Sequence, residues 1–388
     1  MLGLIGQTIS IVGTNLRGLP GRASLVLATM ICVALVVATL MGLDALRQGL
    51  RATLEQSGAR DVALLMRGGS QSEINSIVTR EQLDVLRSAP GVRTLSPEVS
   101  LVVDGYRRED GKRANISLRG LSADGIALRR DATLMDGRWP TEGSAEVAVG
   151  RTIAETYRGM DLGAQLTIGS DTWTIGGIFE AKRSVAESEI WADLSTVQNF
   201  FNRANNVQSV RISMAGEGDL ESLKAFSDAD PRLQLAVQAE ADYYAVQAAR
   251  TSELAQKLAW PLATLMAIGA VVGALNIMLA SVATRSVEIA TLRALGFGRG
   301  PICAGLVIEC VLLCLIAALI GAAAAFLFLE GLSTSTLAGG ITRIGYSLTF
   351  TLSGLWQAIG LAIGIGLIGS IVPAIVACLR DVAGNLAK

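Results

Sequence analysis

The sequence predicts an α-helical membrane protein with four transmembrane helices and a large α/β extracytoplasmic domain of two lobes, inserted between helices 1 and 2. Three observations predict it. Charge is scarce and unevenly placed. Only 17% of the 388 residues are charged, against about 25% in an average soluble chain. Residues 23–43, 258–284 and 344–379 hold no Asp, Glu, Lys or Arg, and residues 300–329 hold only Glu309. Each of these runs reaches the roughly 20 apolar residues that a bilayer span requires. Between the first and second lies a long hydrophilic stretch, 44–257, that alternates between strand-like and helix-like patterns.

The same composition excludes other classes. A mean hydropathy of +0.47 does not suit a soluble enzyme with one water-facing surface. Lys and Arg total 33 against 34 Asp and Glu, with a pI near 5.8, so no basic nucleic-acid surface is expected. The absence of His removes His-based triads and His metal sites.

In residues 1–22, Leu4, Ile5, Ile9, Val12 and Leu16 recur at helical spacing, with Gln7, Ser10 and Asn15 elsewhere. This predicts a short interfacial helix before the first span. Helix 1 occupies 23–43. Its apolar run is longer than the 7–15 residues of a signal peptide, and a charged helical pattern follows it, so it is expected to stay as an anchor. Leu43, Leu46, Leu50 and Leu54 then continue at i, i+3, i+7, i+11, predicting a stalk that carries the helix beyond the bilayer.

The domain 44–257 is expected to hold strands at 61–67, 92–103 and 115–121. Between them a helix opens at Thr79, with Gln82 three residues later as a capping box. An inner lobe at about 131–215 follows. Residues 146–181 read as strand, short helix and two strands turning at Gly169-Ser170-Asp171. Further strands are expected at 189–194 and 207–214. The stretch 218–257 reads as helix running into helix 2 at 258–284.

Helix 3 is expected at 301–329 and helix 4 at 354–379, after a short loop at 330–353. The whole apolar run 344–379 would be about 54 Å long as helix, so Tyr346–Gly354 is read as an approach segment and Pro373 as a kink or stop. The segment 285–300 carries Arg285, Arg293 and Arg299 against one acid, Glu288. The N-terminal lead carries Arg17 and Arg22 with no acid. Positive charge in short loops marks the cytoplasmic side. The N-terminus, the 285–300 segment and the 380–388 tail are therefore expected there, and the large domain outside.

The chemistry-bearing motifs are few. The only Gly-Lys pair, Gly111-Lys112, precedes Arg113 rather than Ser or Thr, so no Walker A loop exists. No catalytic, cofactor-binding or metal-ligating set is expected. Cys303, Cys310 and Cys314 share roughly one helical face and are read as small apolar packing. Glycines spaced by four, Gly269 with Gly273 and Gly360 with Gly364, predict close helix packing. Glu309 is expected to make a polar contact or to snorkel to water.

The informative segment runs from Arg285 to Gly296. Arg285 and Glu288 can pair at i, i+3. Val282, Ile289 and Leu292 are expected to share a face that Ala294 and Leu295 extend, and Gly296 and Gly298 can stop the helix. A short amphipathic helix of this kind suits docking into a partner's groove.

With Arg285, Glu288, Ile289, Leu292, Arg293, Ala294, Leu295 and Gly296 in this order, the chain resembles the permease subunits of the type VII ABC transporters: the macrolide-exporter, lipoprotein-releasing and cell-division permease group. Val147–Gly150, Asp161-Leu162-Gly163 and Trp173–Phe179 resemble that family's outer-domain pattern. The tail after Pro373-Ala374 departs from it, being poor in Arg and lacking a later Pro. The resemblance implies a multi-pass protein of the bacterial inner membrane with both termini cytoplasmic. It implies a cytoplasmic ABC ATPase dimer that binds ATP and Mg, a second permease subunit alike or different, an extracytoplasmic adaptor or effector, and lipid contacts. The eight residues above would couple to the ATPase. The implied function is export or extraction of a lipid, lipoprotein, peptide or drug. Two alternatives stay open: a mechanotransmission subunit that activates an outer protein such as a cell-wall hydrolase, and a membrane receptor or scaffold.

Overall fold

A computed structural model describes residues 2–17, 23–169, 171–338 and 342–379. The tail 380–388, Arg22 and Ser170 of the expected turn lie outside the described residues. The chain divides into two compact units. One comprises Met1–Gln48, Glu253–Leu332 and Leu348–Lys388; the other comprises Gly49–Ser252 and Ser333–Ser347.

In chain order, α1 (Leu2–Arg17) and α2 (Ala23–Glu55) come first, and α2 contains both the first apolar run and the leucine repeat. The second unit then begins with β1 (Val62–Arg67), β2 (Val78–Thr79) and α3 (Arg80–Leu86). Thr79 accepts from the Gln82 amide and the Gln82 side chain accepts from the Thr79 amide, so α3 opens with the predicted reciprocal cap. β3 (Thr94–Tyr106), β4 (Arg113–Leu121), α4 (Ala123–Ala127) and β5 (Thr133–Gly137) follow. The succeeding elements are β6 (Glu146–Gly150), α5 (Arg151–Thr156), β7 (Gln165–Ile168), β8 (Asp171–Glu180) and β9 (Glu189–Asp193). The unit continues with α6 (Leu194–Phe200), β10 (Asn206–Val207), β11 (Ser209–Ser213), α7 (Glu217–Ala229) and β12 (Leu235–Ala239).

Ten strands form one sheet, nine of them in the order β12-β1-β11-β3-β4-β9-β6-β8-β5 and the tenth, β7, paired on β8. Pairing is antiparallel except for β4 with β9 and β6 with β8. The two halves meet in one long strand. β3 pairs with β11 over Thr94–Glu98 and with β4 over Val99–Tyr106. Along β8, Trp173, Ile175 and Phe179 are buried between more exposed neighbours, the period-2 pattern of a strand with one covered face. The apolar core runs through both halves, from Ala63, Leu65 and Ile212 to Ile116, Val149, Trp173 and Ile190. A smaller aromatic cluster holds Phe179 stacked on Trp191, with ring centroids 4.1 Å apart.

The remaining elements are α8 (Glu240–Thr284), α9 (Ser286–Ala294), α10 (Arg299–Leu329), β13 (Ser333–Ala338), β14 (Thr342–Ser347) and α11 (Leu352–Leu379). Among the described residues, four helices are long and apolar enough to cross a membrane: α2, α8, α10 and α11. Pro261 and Pro373 lie inside α8 and α11. Pro373 does not finish its helix, because α11 continues to Leu379.

Three expectations change. The stretch 218–257 is not helix throughout. Its Leu-Gln-Leu-Ala-Val run supplies β12, which pairs with β1 from Arg67↔Leu235 to Ala63↔Ala239. The 330–353 connection is not a plain loop. It holds the hairpin β13–β14, which belongs to the second unit, where the Gly345 amide donates to Ser188 Oγ at 2.9 Å. The glycines expected to pack helices closely are not the ones that do so within the chain. A Cβ on Gly269, Gly360 or Gly364 would meet nothing within 4 Å, and one on Gly273 would meet only Cys32 Sγ at 4.0 Å. The close approaches use Gly305 against Ile11, Gly366 against Val311, Gly369 against Ala274, and Gly321 against the Ala34 carbonyl. Spacing by four makes a small stripe, but only the neighbouring helix decides which stripe is covered.

Candidate functional site: a short anchored helix

The segment singled out by sequence folds as α9, preceded by a break at Arg285 (φ −104°, ψ 13°). The helix is short, and Gly296 ends it at φ +93°, a left-handed conformation that favours Gly. The side chains sort into two faces. Ile289 and Ala290 are buried, and Ile289 joins Val282, Ile302 and Leu306 in the membrane unit's core. Val287 and Leu295 are 56% and 72% exposed, with Glu288, Thr291 and Ala294 also exposed beside them; Leu292 and Arg293 are half-buried.

Val282 and Ile289 share a face as expected, and the predicted extension of that face is corrected. Ile289 turns inward with Val282, whereas Leu295 and Ala294 lie on the outward side. Ile289 follows Val282 by about two turns and keeps its face, whereas Leu295 lies six residues beyond Ile289, about 120° round the helix. The apolar surface left for a partner is Val287, Ala294 and Leu295.

Arg285 fixes the segment to its own unit. Only 9% of its side chain is exposed. Its Nε donates to Glu288 Oε2 at 2.8 Å, its Nη2 to Asn15 Oδ1 at 2.5 Å, and its Nη1 lies 3.5 Å from Glu309 Oε2. Three elements therefore converge on one guanidinium: α1 through Asn15, α9 through Glu288 and α10 through Glu309. A planar fork of five donors suits this role, and a Lys would not reach all three. Asn15 lies off the apolar repeat of α1 in sequence, yet it is buried together with Ile11, and Ile11 packs against Gly305 of α10. A buried charge is costly unless paired, which explains why Glu309, with 2% of its side chain exposed, faces Arg285.

The other expected residues fall as follows. Leu50 and Leu54 are buried with Tyr243, Tyr244 and Ala248 in the second unit. In the first unit, Leu43 and Leu46 line a cavity of about 520 Å³ with Met41, Trp260, Gln357 and Leu361. Cys310 and Cys314 are buried in the membrane core. Cys303 instead stands beside Cys378, with Cα atoms 6.5 Å apart; their sequence separation of 75 hides this neighbour from local spacing. Among the described residues, no group of three or more His, Cys, Asp or Glu gathers as a metal site.

Sequence reasoning missed the buried charge cluster of the second unit. It joins Glu73, Glu98, Arg119, Arg129, Glu189, Arg211 and Glu240. Arg119 forks onto Glu189 at 2.8 and 2.6 Å and reaches Glu73 at 2.7 Å and Glu98 at 2.9 Å. Burial pushes the Glu73 carboxyl up, and the Arg119 and Arg211 guanidiniums overcome this and hold it well below the usual carboxylate range. Glu98 is treated alike: burial raises it, and Arg129, Arg211 and Arg119 bring it below its ordinary value. The available signal was charged residues at inward strand positions, Glu98 on β3, Arg119 on β4 and Arg211 on β11.

Comparison with known proteins agrees with this architecture. A family model described as the MacB-like periplasmic core domain matches residues 25–250, and one described as the FtsX-like permease C-terminal matches residues 261–380. Among solved structures, the periplasmic region of MacB from Actinobacillus actinomycetemcomitans is similar at 12% identity and TM-score 0.38, covering 47% of this chain and 90% of that one. The extracellular domain of the noncanonic ABC-type transporter YknZ from Gram-positive bacteria is similar at 16% identity and TM-score 0.36, covering 46% and 99%. No curated protein matches the chain.

Proposed function

Since this chain belongs to the permease family of the type VII ABC transporters, we propose that it converts ATP hydrolysis by a separate cytoplasmic ABC ATPase dimer into movement of its extracytoplasmic domain, exporting or extracting a lipid, lipoprotein, peptide or drug. Permeases of this family are transporter components and not themselves enzymes. ATP and Mg belong to the ATPase. The permease pairs with a second permease subunit, and an adaptor or effector outside the membrane receives the movement.

One observation carries this reading: α9 is short, fastened inward by Arg285, Ile289 and Ala290, and presents Val287, Ala294 and Leu295 outward. An anchored helix with an uncovered apolar face suits a groove in a partner. The anchor then passes displacement to α1 and α10 rather than absorbing it. The positive balance of 285–300 supports a cytoplasmic position for α9, with both termini on that side of the inner membrane. The test is purification from the native membrane with every associated chain identified, followed by ATPase measurement in nanodiscs. An ABC ATPase whose turnover rises with cargo is the expected result. Activation of an outer hydrolase without cargo would replace transport by mechanotransmission. Absence of any ATPase would leave a receptor or scaffold.

A further inference from the structure

We propose that Arg211 and Glu240 are the fastening through which α8 drives the outer sheet, and that they act as positioning residues for the transmission step. The inference rests on the function proposed above and adds the place where displacement enters the domain.

Glu240 is the first residue of α8, the helix that continues as an apolar span to Thr284. Its carboxylate is held on both oxygens. Arg211 Nε donates to Oε1 at 2.6 Å, and the Ala59 amide donates to Oε2 at 3.1 Å. The Ala241 amide returns a bond to the Ala59 carbonyl at 3.2 Å. The backbones are close enough that a Cβ on Gly58 would lie 2.5 Å from Ala241 Cα. The start of α8 and the connection leaving α2 are thus tied at one carboxylate.

Arg211, 1% exposed on β11, carries the tie into the sheet. Its Nη1 and Nη2 reach Glu73 at 3.1 Å each, and Nη1 also contacts Glu98. Glu98 ends the part of β3 that pairs with β11, immediately before the part that pairs with β4. Arg119 on β4 continues from Glu73 and Glu98 to Glu189 on β9. Glu189 accepts from Trp191 Nε1 at 2.8 Å, and Trp191 stacks on Phe179. The charge chain therefore runs from the helix start, through the junction of the half-sheets, to the aromatic cluster of the far half.

Apolar contact would bury the same space without fixing direction, because the hydrophobic effect is non-directional. Buried ion pairs gain little net stability over apolar packing. Paired guanidinium–carboxylate forks do fix angle and distance. Directional bonds where a helix start meets two half-sheets match a part that must hold its geometry under load.

The test uses the full permease–ATPase complex in nanodiscs. Amide hydrogen exchange is compared with and without ATP trapped by vanadate, for wild type, Glu240→Gln and Arg211→Lys. In wild type, nucleotide changes exchange in α8 and in β11, β3 and β4. In Glu240→Gln the α8 difference persists and the sheet difference is lost. Simple loosening of the fold would instead raise exchange in both nucleotide states and leave their difference in place. If Glu240→Gln fails to fold, Arg211→Lys decides, because Lys keeps a cation for Glu73 and Glu98 but cannot fork to Glu240; loss of the sheet difference is again expected. A full sheet difference in a folded variant overturns the fastening while the proposed function stands. No nucleotide-dependent difference anywhere in wild type overturns the proposed function, and the fastening with it.

Discussion

Arg285 Nη1 lies 3.5 Å from Glu309 Oε2, so the only acidic or basic side chain between residues 300 and 329 faces the residue that caps the start of α9. The pair explains two features at once: an acid within an apolar span, and an arginine buried at a helix break.

Removing one partner should cost more than removing both. Arg285→Ala leaves Glu309 uncompensated and is expected to destabilise the protein by about 3 kcal/mol. The double variant Arg285→Met with Glu309→Leu should recover most of that loss. Thermal unfolding in detergent of the two single variants and the double reads the coupling; equal losses in all three would contradict it.

The outward and inward faces of α9 should separate docking from folding. Leu295→Asp and Val287→Asp are expected to leave membrane insertion and thermal stability unchanged while abolishing coupled ATPase activity. Ile289→Asp buries a charge in the membrane core and should instead lower the yield of folded protein. Normal coupling in both outward variants would remove α9 from the motor connection.

The acid response of the outer domain follows from Glu73 and Glu98. Their folded carboxyls sit below ordinary values, and an unfolded Glu titrates at about 4.3. Lowered folded values mean stability that is fully present above the unfolded value and is lost as pH falls through the folded one. Unfolding followed by the fluorescence of Trp139, Trp173 and Trp191 should be level above about pH 5 and decline below it. Glu73→Gln should start less stable and decline less steeply with acid; parallel slopes would count against the cluster as the source.

The glycine stripes divide by use. Gly321→Ala drives a Cβ into the Ala34 carbonyl and should cost about 1–3 kcal/mol by overpacking, seen as a lowered melting temperature. Gly360→Ala and Gly364→Ala meet nothing within 4 Å in the chain and should leave that temperature unchanged. A loss of paired permeases in those variants, read by crosslinking, would assign the stripe to contact between copies.

The cap at Thr79 offers a smaller, local measure. Thr79→Ala removes the acceptor for the Gln82 amide and should lower outer-domain stability by about 1 kcal/mol.

Much of this architecture was legible because it rests on local physics. Charge-free runs gave the spans, short apolar or alternating runs gave β1, β4, β6 and β8, and Thr79 with Gln82 gave the start of α3. What stayed hidden depends on distant neighbours. Helical composition on both sides masks β12, whose strand character comes from pairing with β1. Ile289 and Leu295 are both apolar, and only the neighbours packed against α9, among them Ile302 and Leu306, settle which is buried. Glu73, Glu98, Arg119 and Arg211 read singly as surface charge, because each becomes tolerable inside only beside the others. The bond from Arg285 to Asn15 spans 270 positions, beyond any spacing rule.

The hairpin β13–β14 carries a practical warning for anyone preparing soluble material. Residues 49–252 look like a self-sufficient fragment, yet the compact body they form also takes in 333–347, from the far side of two further spans. A recombinant piece cut at the obvious borders arrives missing a component, with the Ser188 hydroxyl stripped of its mate and the surface around it bare. Grafting the hairpin back through a designed linker is the way to a faithful stand-alone domain.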